Sequence, residues 1–392
     1  MRRLKIQFQE FKSVIKNELT FILKDPGVLL VLVGAIFIYS ILYSLAYKNE
    51  VLRDVPVAIV DHSNTPSSQT LIRAIDASSN MKIAYKPASL EEAKDLFMSR
   101  EVNGVIVIPR DYEKKIMRME KAAVSVYADA SYFLMYRQVF SDAISAIDNV
   151  STGIEWNRFV SSGKSSESAK VISNPVQIKS TNLFNPYGGY GSFVMPAVLI
   201  LILQQTLLIG IGMIGGTWRE QNLYKQLIPD GESRLYILPV VFGKAVTYLL
   251  ICVITVSYIL GVHYKIFGFP ANGSIGDILQ LLLPYLLSVI FLGIMLSTLF
   301  RYRENSILFL LFTSIPFLLL TGISLPQEAM PQWLYRAAKV IPGSNGVDAF
   351  IRVQSMGATL VEVITPYRIL WALTIIYFIG AYIGIRYRIR KA

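Results

Sequence analysis

The chain has 392 residues, of which 53% are hydrophobic and only 17% are charged. Soluble domains carry about 25% charged residues, so this composition excludes an ordinary water-soluble globular protein. The single cysteine, Cys252, excludes a disulfide framework, and the two histidines, His62 and His263, give no basis for a His-rich metal centre. The composition indicates a membrane protein. In such a protein, the net charge of +11 is interpreted from the positions of the basic residues along the chain.

Six apolar stretches are long enough to cross a membrane, which takes about 20 residues of helix. They predict six transmembrane helices at residues 26–47, 193–216, 236–262, 278–300, 306–325 and 367–386. The sixth is short, and we expect Arg368 and Arg386 to extend it by reaching the membrane interface with their side chains. The residues before the first span do not form a short cleaved signal, so that span is predicted to be a retained anchor.

The basic residues concentrate on one side of the predicted spans. The N-terminal segment 1–25, the C-terminal end and the borders of the loops after the second and fourth spans hold 16 basic residues against seven acidic ones. Residues 48–180 instead hold 17 basic and 16 acidic residues. Because basic residues favour the cytoplasmic side, we predict that both termini, including the basic tail 387–392, are cytoplasmic and that residues 48–180 lie outside. This asymmetry explains most of the net charge without a nucleic-acid-binding surface.

Residues 48–180 are predicted to form a small extracytoplasmic α/β domain. Strand signals alternate with helix signals, and Ser89 with Glu92 three positions later has the spacing of a capping box. The predicted strands are 55–61, 82–85, 102–109 and 123–128, and the predicted shorter helices are 68–78 and one that follows Ser89. A long amphipathic helix is predicted at 132–154. Two alternatives remain open for its apolar face, which either covers its own sheet or packs on a second copy.

Motifs that resemble nucleotide-binding or catalytic sites fail on inspection. Gly163-Lys164-Ser165 resembles the end of a phosphate loop, but Arg158 stands where the first glycine of that loop is required. Asp61 and Asp129 stand at the ends of predicted strands, where capping of a turn is the commoner role of aspartate. We therefore expect a protein without catalytic residues, without a metal site and without an ATPase site of its own.

Four signals occur in a fixed order beside the predicted spans. Lys24-Asp25-Pro26 stands where the first span begins. The amphipathic segment 1–25 that leads to it predicts a cytoplasmic interfacial helix. Segment 217–230 is predicted to be a short cytoplasmic helix, and Gly243-Lys244 stands in the third span. Segment 326–352 has apolar positions at helical spacing broken by prolines, which predicts a re-entrant hairpin. The marked residues of this last signal are Gly322, Pro326, Met330, Pro331, Pro342 and Arg352.

This ordered set on six spans resembles the permease subunit of type-2 ABC exporters, in the branch with a large extracytoplasmic domain after the first span. The resemblance covers essentially the whole chain. Two departures occur: Thr321 replaces the usual serine, and Asn222-Leu223-Tyr224 replaces the commoner Gly-Thr-Leu/Met. The resemblance implies a fold class of α-helical polytopic membrane protein, with six transmembrane helices and the small extracytoplasmic α/β domain.

The resemblance also implies partners and coupling residues. Such a chain is half of a transporter, which forms a dimer with a second copy or a sister permease and works with two ABC ATPase subunits. ATP and Mg²⁺ are then bound by the partner ATPase, and no cofactor is bound by this chain. The residues that the resemblance assigns to ATPase coupling are Lys24, Asp25, Pro26, Arg219, Glu220, Gln221, Leu227, Pro229 and Lys244.

Polar and small residues within the spans suggest how the membrane part is built. Gln204 and Gln205 form the most polar pair deep in the second span, where they either face a substrate path or bond to a neighbouring helix. Gly212 and Gly216 have the spacing that predicts close helix packing. Since no span carries Asp or Glu at its centre, coupling through an intramembrane carboxylate is not expected.

The leading hypothesis is an ABC export permease of the bacterial cytoplasmic (inner) membrane for a hydrophobic or amphiphilic molecule, as in multidrug efflux. A periplasmic adaptor and an outer-membrane channel are further partners that this class allows. One alternative is an exporter of polysaccharide or another cell-surface polymer. Such exporters resemble this chain less, because their first two spans are closely joined. The other is a non-transport receptor with an outer sensing domain. A receptor needs a cytoplasmic signalling domain. The longest predicted cytoplasmic segments of this chain have about two dozen residues, which is too short for such a domain.

Overall fold

Two compact units make up the chain. The computed structural model describes residues 2–48, 51–176, 181–186, 188–224 and 237–391. The first unit, here called the helical unit, combines Met1–Glu50 with Asn182–Ala392. The second, here called the inserted unit, is the intervening segment Val51–Thr181, close to the segment 48–180 that the sequence sets apart.

The helical unit begins with the amphipathic helix and the first long apolar helix. The elements are α1 (Arg2–Lys24), α2 (Pro26–Leu29), a π-helical turn (Leu30–Gly34) and α3 (Ala35–Ala46). Asp25 separates α1 from α2, and its Oδ1 accepts hydrogen bonds from the backbone N–H groups of Gly27 and Val28 at 3.0 and 3.1 Å. A carboxylate at this position caps the helix, and proline suits the first helical position, so α2 starts where the sequence permits it.

The inserted unit is built on a four-stranded sheet in the order β2-β1-β3-β4. Its elements are β1 (Val55–Asp61), α4 (Pro66–Asp76), β2 (Met81–Tyr85), α5 (Leu90–Met98), β3 (Gly104–Ile108), α6 (Tyr112–Met117), β4 (Ser125–Ala128), α7 (Phe133–Ser161) and α8 (Ser166–Ser173). Strand β1 is parallel to β2 and to β3, whereas β3 and β4 are antiparallel. Ser89 caps α5 by accepting a hydrogen bond from the backbone N–H of Glu92 at 3.2 Å.

Helices lie on both faces of this sheet. Successive side chains of a strand point to opposite faces. Val57 and Ile59 are buried in a core that includes residues of α4 and α7, whereas Ala58 and Val60 are buried in a smaller cluster with α5. The inserted unit is therefore a three-layer α/β arrangement.

The long helix α7 covers the sheet of its own unit. Val139, Ala143 and Ala146 are buried in the same core as β1 and α4. Of the two alternatives for the predicted helix 132–154, packing on its own sheet is the one that the structure shows. The helix runs on to Ser161, beyond the predicted end at residue 154, and a short turn separates it from α8.

The helical unit resumes with three long helices. The elements are α9 (Tyr190–Glu220), α10 (Ile237–Tyr258), a π-helical turn (Ile259–His263), α11 (Tyr264–Phe267) and α12 (Ile275–Ser297). Helix α9 packs against α3 and α12, and most of its residues are buried. It therefore lies at the centre of the helical unit.

The last part of the helical unit contains two long and two short helices. The elements are α13 (Arg303–Leu319), a 3₁₀ turn (Gln327–Ala329), α14 (Gln332–Ala338), α15 (Pro342–Phe350), a π-helical turn (Ile351–Ser355) and α16 (Ile364–Lys391). Helix α15 packs against α9, α12 and α16, and its residues 342–347 are all buried. These short elements occupy the predicted hairpin 326–352, whose insertion into the membrane stays a prediction.

Five of the described helices are long and apolar enough to cross a membrane, as expected of a polytopic membrane protein. They are Pro26–Ala46, Tyr190–Glu220, Ile237–Phe267, Ile275–Ser297 and Ile364–Lys391. The span predicted at 306–325 corresponds to α13, which has 17 residues and ends at Leu319. It ends early because the chain turns at Gly322, whose φ is +91°.

The helix ends differ from the predicted span ends by several residues. Helix α9 runs to Glu220, so the first four residues of the predicted cytoplasmic helix 217–230 belong to α9 instead. Helix α16 runs to Lys391 and absorbs most of the predicted tail 387–392. The reason is that hydropathy marks only the apolar part of a helix, whereas its backbone hydrogen bonds continue into polar sequence.

Candidate coupling site

A buried ion pair joins α1 to α10. Nζ of Lys244 lies 2.6 Å from Oε2 of Glu18, and the two side chains are 8% and 1% exposed. The hydroxyl of Tyr248 donates to Oε1 of the same carboxylate at 2.7 Å. Lys244 and Tyr248 are one helical turn apart, so both face α1. Each oxygen of Glu18 thus has a donor, which a buried carboxylate requires.

Aromatic rings enclose this ion pair. Nζ of Lys244 lies 4.4 Å from the centre of the Trp218 ring, a cation–π contact. The Trp218 ring in turn packs against Phe21 and Tyr224, with centroid distances of 5.3 and 6.2 Å. Since Trp218 stands in the last turn of α9, the ion pair holds three helices together.

A second ion pair joins the start of α2 to the start of α13. Nη1 and Nη2 of Arg303 donate to Oδ2 and Oδ1 of Asp25 at 2.9 and 3.3 Å. Burial raises the pKa of Asp25, but the Arg303 guanidinium and the N–H groups of Val28 and Gly27 outweigh this effect and hold the pKa below its usual value. The carboxylate therefore acts both as a helix cap and as an ionic link.

Acid should loosen this link. A carboxylate whose pKa is lowered by folding contributes its full stability above its unfolded pKa of about 4, and this contribution is lost as the pH falls through the folded value. We expect Asp25→Asn, which keeps a capping side chain, to reduce the loss of thermal stability between about pH 6 and pH 3. The control is Asp277→Asn in the first turn of α12. An unchanged pH dependence in Asp25→Asn would contradict the assignment.

The turn between α12 and α13 is tied to two further helices. Nη1 of Arg219 donates to the carbonyl of Leu299 at 2.9 Å, and Nε of Arg388 donates to the carbonyl of Thr298 at 2.6 Å. A methyl group on Gly216 would lie 2.7 Å from the backbone N and Cα of Arg303. The close packing predicted from Gly212 and Gly216 is confirmed, since Gly212 similarly meets Ser306.

These contacts bring together the C-terminal parts of α1, α9, α12 and α16, the starts of α2 and α13, and the segment of α10 from Lys244 to Tyr248. We call the group the junction. Its members are Glu18, Asp25, Trp218, Arg219, Lys244, Tyr248, Arg303 and Arg388. A polar group so placed can transmit a displacement of α1 to several of the long helices at once, because its charged members are hydrogen-bonded to one another or to neighbouring helices and the Glu18–Lys244 pair is buried.

The predicted coupling residues divide into three groups. Asp25, Arg219 and Lys244 belong to the junction. Exposed beside it are Lys24, Pro26, Glu220 and Gln221. Outside the described residues are Leu227 and Pro229. The role of all these residues in coupling stays a prediction.

Gln327 organises the predicted hairpin residues. Its Nε2 donates to the carbonyl of Thr321 at 3.3 Å, and its Oε1 accepts a hydrogen bond from Nζ of Lys339 at 3.3 Å. Gly322 lies against its side chain, where a Cβ would approach Cγ of Gln327 to 2.7 Å. The positive φ and this contact together require glycine at position 322.

The other predicted hairpin residues mark the boundaries of its short elements. Pro326 and Pro331 precede the 3₁₀ turn and α14, and Pro342 is the first residue of α15. Met330 is buried, and Nη2 of Arg352 donates to the carbonyl of Glu362 at 2.6 Å. These residues shape the hairpin and lie apart from the junction.

Gln204 and Gln205 stand at the middle of α9 and not in the junction. Gln204 is fully buried, and within the described part of the chain no hydrogen-bond partner is present for the side-chain nitrogen or oxygen of either residue. Across the same described ranges, no group of three His, Cys, Asp or Glu side chains is placed to hold a metal ion.

Sequence reasoning missed Glu18 and Arg303. Glu18 has a detectable signal, because it stands four residues after Val14 and four before Ile22, in the middle of the buried face of α1. A charged residue at that spacing indicates a buried partner. Arg303 has no local signal, since its partner Asp25 is 278 positions away in the sequence.

Comparison with known proteins places this arrangement in a family. The family model described as ABC-2 family transporter protein matches residues 26–383. The probable multidrug ABC transporter permease YbhR of Escherichia coli strain K12 is 23% identical over 371 residues, which cover 94% of this chain and 95% of that protein. The linearmycin resistance permease protein LnrN of Bacillus subtilis strain 168 is 21% identical over 379 residues, which cover 92% of this chain and 95% of that protein.

The family match spans both units and every junction residue from Trp218 onward. It confirms the resemblance to ABC exporter permeases that the ordered sequence signals indicate. Members of this family are membrane subunits that associate with separate ABC ATPases. The chain belongs to the ABC-2 family of transporter proteins.

Proposed function

We propose that this chain is the membrane-spanning permease subunit of an ATP-driven exporter that moves a hydrophobic or amphiphilic molecule out of the cytoplasm or the inner leaflet. Separate ABC ATPase subunits bind ATP and Mg²⁺ and hydrolyse ATP, and the chain itself is not an enzyme. The observation that carries the proposal is the buried Glu18–Lys244 pair, which fixes the amphipathic helix α1 to a membrane-spanning helix. Closure of an ATPase against α1 and the end of α9 would thereby move the spans.

The names of two relatives support export of small molecules. One relative is named a multidrug permease and the other a linearmycin resistance permease. Both are matched along more than nine tenths of this chain, including the inserted unit. The proposal therefore favours a small amphiphile over a polysaccharide or another polymer.

The proposed topology has six spans, with α13 as the fifth. Its 17 residues extend about 26 Å, close to the ~30 Å of a hydrocarbon core. Phe312 and Ile315 on α13 are 77% and 67% exposed, and such an apolar face suits lipid or a second permease. The protein would lie in the bacterial cytoplasmic membrane with both termini inside and residues 48–180 outside.

Cysteine labelling tests this topology. In a Cys252→Ser background, Ser165→Cys should react with a membrane-impermeant maleimide in intact cells, because the positive-inside pattern places residue 165 outside. Gln221→Cys, at the end of α9, should react only after the cells are broken. Reversed labelling of the two positions would overturn the topology.

The proposed assembly contains two ABC ATPase subunits and a second permease, identical or related. A periplasmic adaptor and an outer-membrane channel are the proposed outer partners, for which residues 48–180 would offer the surface. The proposal includes no nucleic acid. Export requires only that the junction end faces the ATPase and that the spans enclose the substrate.

Glu220→Lys tests the coupling role directly. We expect it to reduce ATP-driven transport and to uncouple ATP hydrolysis, because the exposed carboxylate stands beside the junction where the ATPase would dock. Stability should change by less than ~0.5 kcal/mol, since the site is on the surface. The measurements are ATPase activity and the transport of fluorescent amphiphiles with cationic, neutral and anionic head groups into inverted vesicles.

The matched control is Glu328→Lys, the same charge change on an exposed residue of the hairpin. It should leave both activities unchanged. If Glu220→Lys retains full transport and full ATPase stimulation, the coupling assignment is wrong. If the complete exporter moves none of the amphiphiles, the proposed substrate class is wrong.

A further inference from the structure

The middle of α9 holds a buried amide without partners. Gln204 has no exposed surface, and neither Oε1 nor Nε2 has a hydrogen-bond partner among the described residues. Buried polar groups without a partner are rare in folded proteins, so each one calls for a structural or functional explanation. In a helix that crosses a membrane, the shortage of partners is more costly than on a water-exposed helix.

This amide lies against the first turn of α15. A methyl group on Gly343 would lie 2.9 Å from Oε1 and 3.1 Å from Nε2 of Gln204. Helix α15 has nine residues, begins with Pro342 and has no side chain that caps its N-terminus. The first N–H groups of a helix lack partners within that helix, and here Pro342 has no N–H and that of Ser344 donates to the carbonyl of Ile341 at 3.1 Å. Gln204 therefore lies at a helix start that no side chain caps.

Two further buried polar side chains stand in the same turn. Ser344 and Asn345 have no exposed surface, and Oγ of Ser344 and Oδ1 of Asn345 have no partner in the described part of the chain. The amide group of Asn345 is held in one orientation, because its Nδ2 donates to the carbonyl of Lys339 at 2.8 Å. Its oxygen is therefore available only as an acceptor.

The balance of these groups indicates an uncharged ligand. The hydroxyl of Ser344 and Nε2 of Gln204 can donate, whereas Oδ1 of Asn345 and Oε1 of Gln204 can only accept. A helix N-terminus favours an anion, but the two acceptor oxygens, and Asp348 one turn further along α15, oppose one. A hydroxyl or an amide offers both a donor and an acceptor, so it can satisfy the whole set.

An aromatic wall adjoins the polar turn. The ring of Tyr285 packs against Gly346, where a Cβ would approach the ring carbons to 2.3 Å. The hydroxyl of Tyr285 donates to the carbonyl of Ile200, one turn before Gln204, at 2.8 Å. Polar groups beside an aromatic surface suit the border between the head and the apolar part of an amphiphile.

Helix α15 is a segment that can shift as a unit. Pro342 begins it, and the π-helical turn Ile351–Ser355 follows it. Proline at the first position fixes where the helix begins, and a π-helical turn is common where a helix bends. A movement of α15 away from α9 would expose Gln204 and the first turn together.

We propose that Gln204 and the first turn of α15 form the binding site for the uncharged head group, a hydroxyl or an amide, of the exported amphiphile. The site is closed in this structure and opens when α15 moves away from α9. The inference rests on the proposed export function and adds the chemistry of the substrate to it.

The test uses the complete exporter, purified with its ATPase subunits and placed in nanodiscs. Four probes share a ten-carbon chain: decanol, decanamide, decanoate and decyltrimethylammonium. We expect the two uncharged probes to stimulate ATP hydrolysis at lower concentration than the two charged ones. Decanol and decanamide distinguish a hydroxyl from an amide as the preferred head group.

Two variants of Gln204 test whether this residue recognises the head group of the probes. Gln204→Leu should raise the half-maximal concentration of the uncharged probes about tenfold, the effect of one lost hydrogen bond in a dry site. Gln204→Glu should shift the preference toward decyltrimethylammonium, because it places a carboxylate in the site. The control Thr206→Val should have no effect, since the Thr206 hydroxyl donates to Leu203 of its own helix.

Folding is checked separately by thermal unfolding. If Gln204 serves the ligand, Gln204→Leu should leave the unfolding midpoint unchanged or raise it, since no protein hydrogen bond is lost. Equal responses to all four probes, no stimulation by decanol or decanamide, or an unchanged response in Gln204→Leu would overturn the proposal. A failure of the proposed export function would give a different result. In that case Glu220→Lys would not change the coupling of ATP hydrolysis to transport.

Discussion

Lys244→Met should destabilise the folded protein by about 3–5 kcal/mol, the cost of leaving a buried charge without its partner. Glu18 is 1% exposed, so its carboxylate cannot turn to water when the lysine is removed. The Tyr248 hydroxyl alone cannot balance the charge. The measurement is the midpoint of thermal unfolding of the purified protein in nanodiscs, followed by tryptophan fluorescence.

The double variant Glu18→Gln with Lys244→Met is the matched control. It removes both charges, and Tyr248 can still donate to the glutamine oxygen, so most of the lost stability should return. Because a buried ion pair often contributes little net stability, this variant can be as stable as the parent protein. If Lys244→Met alone has the same unfolding midpoint as the parent protein, the Glu18 carboxylate is not held by this pair.

Gly216→Ala should destabilise the junction by roughly 1–3 kcal/mol, the usual cost of forcing an extra carbon into packed surroundings. The new Cβ would lie 2.7 Å from the backbone N and Cα of Arg303, and a backbone cannot rotate away as a side chain can. The start of α13 must therefore shift, which also strains the Asp25–Arg303 link. The measurement is the unfolding midpoint, together with the pH dependence that the Asp25 link contributes.

The control is Gly276→Ala in the first turn of α12. A Cβ there would meet only Oγ of Ser274, at an ordinary 3.6 Å. Alanine is a better helix former than glycine by about 1 kcal/mol, so this variant should be neutral or slightly stabilising. If Gly216→Ala behaves like Gly276→Ala, the close approach of α9 to α13 is wrong.

Local patterns in the sequence predicted the elements whose cause is local. Strand β1 coincides with the run 55–61, because alternating β-branched residues and a following turn specify it within a few positions. The cap at Ser89 follows from its spacing to Glu92. The long apolar helices follow from hydropathy, although their ends do not, since helices continue into polar sequence.

The junction was only partly predictable because its partners are distant in the sequence. Asp25, Arg219 and Lys244 were found through the resemblance, but Glu18 and Arg303 were not. Lys244 and Glu18 are 226 positions apart, and no periodicity connects them. The polar turn at α15 likewise depends on Gln204 meeting Gly343, which only the packing of α9 on α15 brings about.

The identity of the protein that touches the end of α9 decides whether a separate ABC ATPase acts on this chain at the junction. Gln221, which is exposed at that end, is replaced by the photo-cross-linking residue p-benzoylphenylalanine in the intact exporter, and the cross-linked partner is identified by mass spectrometry. The same replacement at Ser274, exposed at the opposite end of α12, serves as the control. We expect an adduct with the ABC ATPase from position 221 and none from position 274. An ATPase adduct from position 274, or its absence from position 221, would contradict the action of the ATPase at the junction.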